Sequence, residues 1–176
     1  MKCALCKNQP CLAEKENVPK NCPTERQTIA LYQNEYGDLS KAAAKLTLRK
    51  DLSRIEEIVV FAKELGYKKI GLAFCKAMSS DAKIVHEYLE NNGLQAISYM
   101  CKIGSIAYEE LNMTHPSGFS LCNPIGQANL LNHAKTDLNI VLGLCLGHDS
   151  LFFKHSNAPA TVLVVKDKKH GNALKL

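Results

Sequence analysis

Lys69-Ile70-Gly71-Leu72-Ala73-Phe74-Cys75 is a short apolar run that stops at a cysteine. Two further stretches end the same way: Leu94-Gln95-Ala96-Ile97-Ser98-Tyr99-Met100-Cys101 and Asn139-Ile140-Val141-Leu142-Gly143-Leu144-Cys145. Helix-like segments lie between them. Read as parallel strands of one sheet, the three runs put three thiols on its carboxyl edge. That edge is where open α/β sheets bind their ligands.

Around these runs the pattern alternates. The strand over 69–74 is followed by a helix over 81–91, closed by Asn92-Gly93. A strand over 95–100 follows, then a short helix or turn over 105–111 and a loop at 114–118. Cys122-Asn123-Pro124 opens a helix over 125–134, with Pro124 suited to a first turn. A strand over 138–144, a short helix over 151–155 and a strand over 160–165 complete the series. Alternating strands and helices predict a mostly parallel sheet with right-handed crossovers. The expected fold is α/β, a three-layer Rossmann-like (doubly wound) sheet of about four strands in the order 2-1-3-4. Helical patterns over 25–36, 41–46 and 49–65 precede it, the last with an apolar stripe of Leu52, Ile55, Ile58, Val59, Ala62 and Leu65.

A helix entering the third strand runs antiparallel to it, so it starts at the carboxyl edge. Cys122 therefore joins Cys75, Cys101 and Cys145 there. Four thiolates on one edge repel each other unless a cation neutralises them, which a zinc ion or an iron–sulfur cluster does. Each cysteine alone is also compatible with plain burial, because free cysteine packs as a small hydrophobe. His148 and Asp149 follow Cys145, and Lys166 ends the fourth strand. These three are the candidate catalytic residues. Lys102 and Asn123 are weaker candidates on the same edge.

The first 24 residues read as a separate cysteine-rich arm, and residues 25–176 as one compact α/β domain. The arm carries Cys3-x2-Cys6-x4-Cys11-x10-Cys22-Pro23. It has too few apolar residues for a core and needs a staple. A C-x2-C pair bites one metal from a tight turn, and two further cysteines complete four-coordination. The spacing matches neither zinc knuckles nor ferredoxin runs closely, so zinc and a 4Fe-4S cluster both stand.

The chain of 176 residues holds eight cysteines and carries a net charge of +5. In a reducing compartment such cysteines read as metal ligands or redox groups rather than disulfides. No apolar run is long enough to span a membrane, and Met1-Lys2-Cys3 does not begin a secretory signal, so a cytoplasmic location is expected. The lysines are scattered and the three arginines form no stripe, so nucleic acid is not an expected partner. Gly-x-Gly-x-x-Gly is absent after the first strand, and no Gly-Lys-Ser/Thr loop occurs, which argues against nucleotides.

Several blocks together carry a resemblance. They are Cys3-Ala4-Leu5-Cys6, Pro19-Lys20-Asn21-Cys22-Pro23, Cys122-Asn123-Pro124-Ile125, Gly143-Leu144-Cys145-Leu146-Gly147-His148-Asp149-Ser150-Leu151-Phe152 and Val165-Lys166-Asp167. In combination, and over nearly the whole chain, they resemble an uncharacterised family of cysteine-rich prokaryotic proteins. That family is described only as predicted metal-binding proteins, found largely in anaerobes. The resemblance implies metal binding through the cysteines and an anaerobic bacterial or archaeal setting. It implies no substrate and brings no catalytic residues.

The expected function is a cysteine-ligated metalloprotein. Cys3, Cys6, Cys11 and Cys22 would form a structural metal site. Cys75, Cys101, Cys122 and Cys145 would form a working iron–sulfur site that serves an unknown small ligand or redox partner. Two alternatives stand beside it. One is a zinc-binding structural or regulatory module. The other is a metal-free cysteine enzyme with Cys122 or Cys145 as nucleophile and His148 as base.

Overall fold

A computed structural model describes residues 2–7, 9–12, 28–115 and 118–172. It divides into two compact units, Met1–Ser40 and Lys41–Leu176. The first contains single 3-10 turns at Cys3–Leu5 and Pro10–Leu12, then helix α1 (Ile29–Asn34) and the start of α2 (Gly37–Thr47). Cys3, Cys6 and Cys11 are exposed there. Cys22, expected as the fourth ligand of the arm, lies outside the described residues.

In the second unit, four parallel strands form one sheet in the order β2-β1-β3-β4, as expected. They are β1 (Lys69–Phe74), β2 (Gln95–Met100), β3 (Leu138–Leu142) and β4 (Ala160–Val164). The crossover helices are α4 (Ser79–Asn91), α5 (Pro124–Ala134) and α6 (His148–His155), with α3 (Arg54–Glu64) ahead of β1. The strand order reverses after β2. With right-handed crossovers that reversal puts α4 on one face and α5 and α6 on the other. The layout is Rossmann-like. Among the described residues no helix is long and apolar enough to cross a membrane.

β3 is buried along its whole length and β1 over its four central residues, the pattern of strands covered on both faces. Gly71 shows how tightly β1 is covered. A Cβ there would fall 2.0 Å from Asn139 Oδ1 and 2.9 Å from the Leu131 methyls. Asn139 is itself fully buried, accepting from Thr136 Oγ1 at 2.8 Å and donating to Ser156 Oγ at 2.8 Å. At the amino edge the Asp137 carboxylate accepts from the Lys68 and Lys69 amides, at 2.7 and 2.8 Å, and fixes where β1 begins.

Several boundaries differ from the expectation: the helix expected over 41–46 starts at Gly37, and the one expected over 151–155 starts at His148. The helix predicted from Arg49 starts at Arg54, because Ser53 is in extended conformation and forms a capping box with Glu56. Arg49 instead pairs with Asp51 at 2.7 Å. The strand predicted through Leu144 stops at Leu142. Gly143 turns the chain there with φ 61°, a left-handed conformation open to glycine. Cys145 therefore sits three residues beyond β3 rather than at its end, a correction to the opening pattern of three cysteine-terminated strands.

Candidate functional site

The in-register strands end together, and their last hydrogen bonds step across the sheet. The Cys101 amide donates to Phe74 O at 2.9 Å, the Cys75 amide to Leu142 O at 3.0 Å, and the Gly143 amide to Val164 O at 2.8 Å. Cys75 and Cys101 are thus equivalent positions one step past β1 and β2, whose final pair is Phe74 with Met100. Cys122 is brought to the same edge by Asn123, whose amide donates to Cys101 O at 2.7 Å. The Asn123 side chain caps α5, its Oδ1 accepting from the Gly126 amide at 2.8 Å. The result is a contact between Cys122 Sγ and Cys101 Sγ at 3.8 Å.

Lys166 closes the arrangement from the far side. Its Nζ lies 3.1 Å from Cys75 Sγ and 3.3 Å from Gly143 O. Cys75 also begins the 3-10 turn Lys76–Met78 that runs into α4, so amides point at the sulfurs. The Lys76 amide donates to Cys101 Sγ at 3.4 Å. The Cys101 thiol, Lys166 and the Ala77 amide all donate toward Cys75 and outweigh its burial, pushing its pKa down to about 4. The proton stays on Cys101, whose pKa is raised by its hydrogen bond to the Cys75 thiolate and by burial. Burial alone would lower Lys166, but the bond to Cys75 and the nearby sulfurs of Cys75, Cys145 and Cys101 raise it. Lys166 therefore faces Cys75 as an ammonium.

Cys75 and Cys101 are buried, at 9% and 2% exposure, whereas Cys122 and Cys145 are half-buried. Cys145 is held by its carbonyl, which accepts from the His148 and Asp149 amides at 2.8 and 3.2 Å. Asp149 is used locally, its Oδ1 accepting from the Gly147 and Ser150 amides at 3.1 and 2.7 Å. His148 meets Cys145 through its backbone. Of the three candidate catalytic residues, Lys166 is the one whose side chain reaches a sulfur. Lys102 donates to Ser120 O.

One residue of the site was not anticipated. Gln127 on α5 is fully buried, and its Nε2 donates to Phe74 O at 3.2 Å and Tyr99 O at 2.6 Å. It clamps the last turns of β1 and β2 just before their cysteines. The signal available in sequence was an amide beside Ala128 and Leu131 on the buried face of the helix.

The donor set can be tested against the expected metals. Two sulfurs bound to one tetrahedral zinc ion, each at about 2.3 Å, stand about 3.8 Å apart. The Cys101–Cys122 pair has that spacing. Among the described residues, no group of three or more His, Cys, Asp or Glu side chains has the geometry to hold a metal ion. The pair fits an edge of a single-ion site, and thiolate donors suit soft metals.

Comparison with known proteins places this chain in a family. A family model described as "Protein of unknown function (DUF1847)" matches residues 15–163. The uncharacterized protein MJ0455 of Methanocaldococcus jannaschii is 37% identical over 178 residues, covering 96% of this chain and 88% of that protein. The likeness to an uncharacterised prokaryotic family, read from the cysteine blocks, therefore holds.

Proposed function

This chain belongs to the DUF1847 family of unknown function, and from that premise we propose that it works through a thiolate centre at the carboxyl edge of its sheet, with Cys75 as the reacting sulfur. The carrying observation is the 3.1 Å contact between Lys166 Nζ and Cys75 Sγ. A thiolate, not a thiol, is the nucleophile, and a neighbouring cation at a helix start is what keeps it ionised. Lys166 and the Ala77 amide both favour the anion. Cys75 thus replaces Cys122 or Cys145 as the nucleophile, and an ion pair with Lys166 replaces His148 as base.

Alkylation of the protein by iodoacetamide, followed by peptide mapping across pH, tests this. The rate at Cys75 is expected to be near its plateau at pH 6, about two units below where an ordinary thiol begins to ionise. A Cys75 rate that climbs only above pH 8 rejects the proposal.

A second reading is supported by the Cys101–Cys122 spacing of 3.8 Å. Here the edge cysteines hold a soft metal, zinc or an iron–sulfur cluster, and the arm cysteines hold another. Cys75, Cys101, Cys122 and Cys145 would be the ligands at the edge, and Cys3, Cys6, Cys11 and Cys22 those of the arm. A bound ion would supply charge neutralisation and a Lewis-acidic or redox centre. The observed spacing favours a single ion over a 4Fe-4S cluster, whose cysteines bind different iron atoms. Metal and acid-labile sulfide analysis of protein purified without oxygen decides it. Stoichiometric zinc without sulfide supports the single ion, sulfide with iron supports the cluster, and neither metal in stoichiometric amount rejects this reading.

A further inference from the structure

Cys75 and Cys101 occupy equivalent positions past two adjacent parallel strands. Neighbouring strands lie about 4.8 Å apart, and a disulfide needs a Cα separation of about 4.4–6.8 Å. The strand spacing therefore falls within the range a cross-link between them requires. Cys101 is the more buried of the two; it stands beside Cys75 one step past the register pair Phe74–Met100, and its Sγ meets Cys122 Sγ at 3.8 Å.

We propose that Cys75 and Cys101 form a dithiol–disulfide couple that reduces low-molecular-weight disulfides, Cys75 attacking and Cys101 resolving. This rests on the thiolate reading of Cys75 given above. The substrate is small because Cys75 is only 9% exposed, so a disulfide held in a folded protein cannot reach it in line. It is anionic because two lysines flank Cys75: Lys166, whose Nζ lies 3.1 Å from the sulfur, and Lys76, the next residue in the chain.

The chemistry balances in two steps. The Cys75 thiolate attacks one sulfur of R–S–S–R, a Cys75–S–S–R bond forms, and the substrate S–S bond breaks. The departing R–S⁻ takes the Cys101 proton and leaves as R–SH. The Cys101 thiolate then attacks the Cys75 sulfur, the protein disulfide forms, and the second R–S⁻ leaves and is protonated by water. The protein loses two electrons and the substrate gains them. A dithiol reductant returns the pair to its starting state by the reverse exchange.

The Lys76 amide supports the resolving role. It donates to Cys101 Sγ at 3.4 Å and so helps hold negative charge on that sulfur once its proton has gone.

The experiment uses 3,3′-dithiodipropionate on the full chain. At pH 6, wild-type protein is expected to release two thiols per chain above the release from Cys75→Ser, and to acquire a Cys75–Cys101 disulfide by peptide mapping. Cys101→Ser is expected to release one above that baseline and to hold a single mercaptopropionate adduct on Cys75. Cystamine, the cationic counterpart, is expected to react with Cys75 at least about tenfold more slowly, in line with the flanking lysines. If Cys75 alkylates rapidly at pH 6 but wild-type protein keeps the mixed disulfide, or links Cys101 to Cys122 instead, this inference fails and the thiolate reading stands. If Cys75 neither alkylates at pH 6 nor takes the adduct, both fail. Because the wild-type mapping stands alone, a misfolded Cys101→Ser variant does not shelter the proposal.

Discussion

Lys166 Nζ sits 3.1 Å from Cys75 Sγ although the two residues follow strands β4 and β1, which have β3 between them. The lysine crosses the end of β3, touching Gly143 O on the way. A side chain whose burial opposes its charge is held there by the anion it meets.

Lys166→Met should therefore raise the pH midpoint of Cys75 alkylation by about 1–3 units. The sign for stability follows. A thiol lowered to about 4 on folding contributes stability above its unfolded pKa of about 8.5, and this is lost as pH falls toward 4. The raised Cys101 acts in the opposite sense, and its contribution is lost as pH rises. The lysine acts on Cys75, so Lys166→Met should destabilise more at pH 8 than at pH 4. Urea unfolding at the two pH values checks this, and equal losses would contradict the ion pair.

Gln127→Leu keeps the volume but removes the amide that bridges Phe74 O and Tyr99 O. Leaving buried carbonyls short of a donor costs about 1–3 kcal/mol. The same variant should slow formation of the Cys75–Cys101 disulfide more than it slows alkylation of Cys75, because it loosens the two strand ends relative to one another. Equal slowing of both would reduce Gln127 to a packing role.

Gly71→Ala should be among the most damaging single changes in the sheet. Its methyl would overlap Asn139 Oδ1 and press on Leu131, both fixed by burial. Overpacking of this kind costs about 3 kcal/mol. A thermal melt within a degree of wild type would show that α5 and β3 yield more easily than their burial suggests.

Gly143→Ala forces a side chain onto a residue at φ 61° and puts a Cβ 2.7 Å from Met78 Cγ. A left-handed alanine alone costs about 1–2 kcal/mol. Because Gly143 O also meets Lys166, the variant should raise the Cys75 alkylation midpoint as well as lower the melting temperature. A loss of stability with an unchanged midpoint would separate the turn from the site.

The strands were legible because their hydrophobic runs are short and bounded. β1 and β2 each open on one polar residue, Lys69 or Gln95, and end on an apolar one just before a cysteine. The order 2-1-3-4 followed from alternation with helices and the handedness of crossovers. Leu144 misled because its burial looks like strand burial, and only the backbone shows that Gly143 has already turned. Arg49 misled because an apolar stripe carries no sign of the Ser53–Glu56 cap that interrupts it. At the site, the gathering of Cys75, Cys101 and Cys122 could be read from topology. The pairing of Cys75 with Lys166 depends on a side chain passing across a third strand, which no local pattern encodes. Gln127 was hidden for the same reason, since its partners are main-chain carbonyls of other elements.

The contact between positions 75 and 166 spans 91 residues, nearly the full length of the sheet in sequence. A chain ending before β4 would contain every edge cysteine and lack the ammonium that pairs with one of them. On the proposed reading, fast alkylation of that sulfur waits on the last strand. The onset of fast alkylation at this single sulfur would time the docking of the last strand.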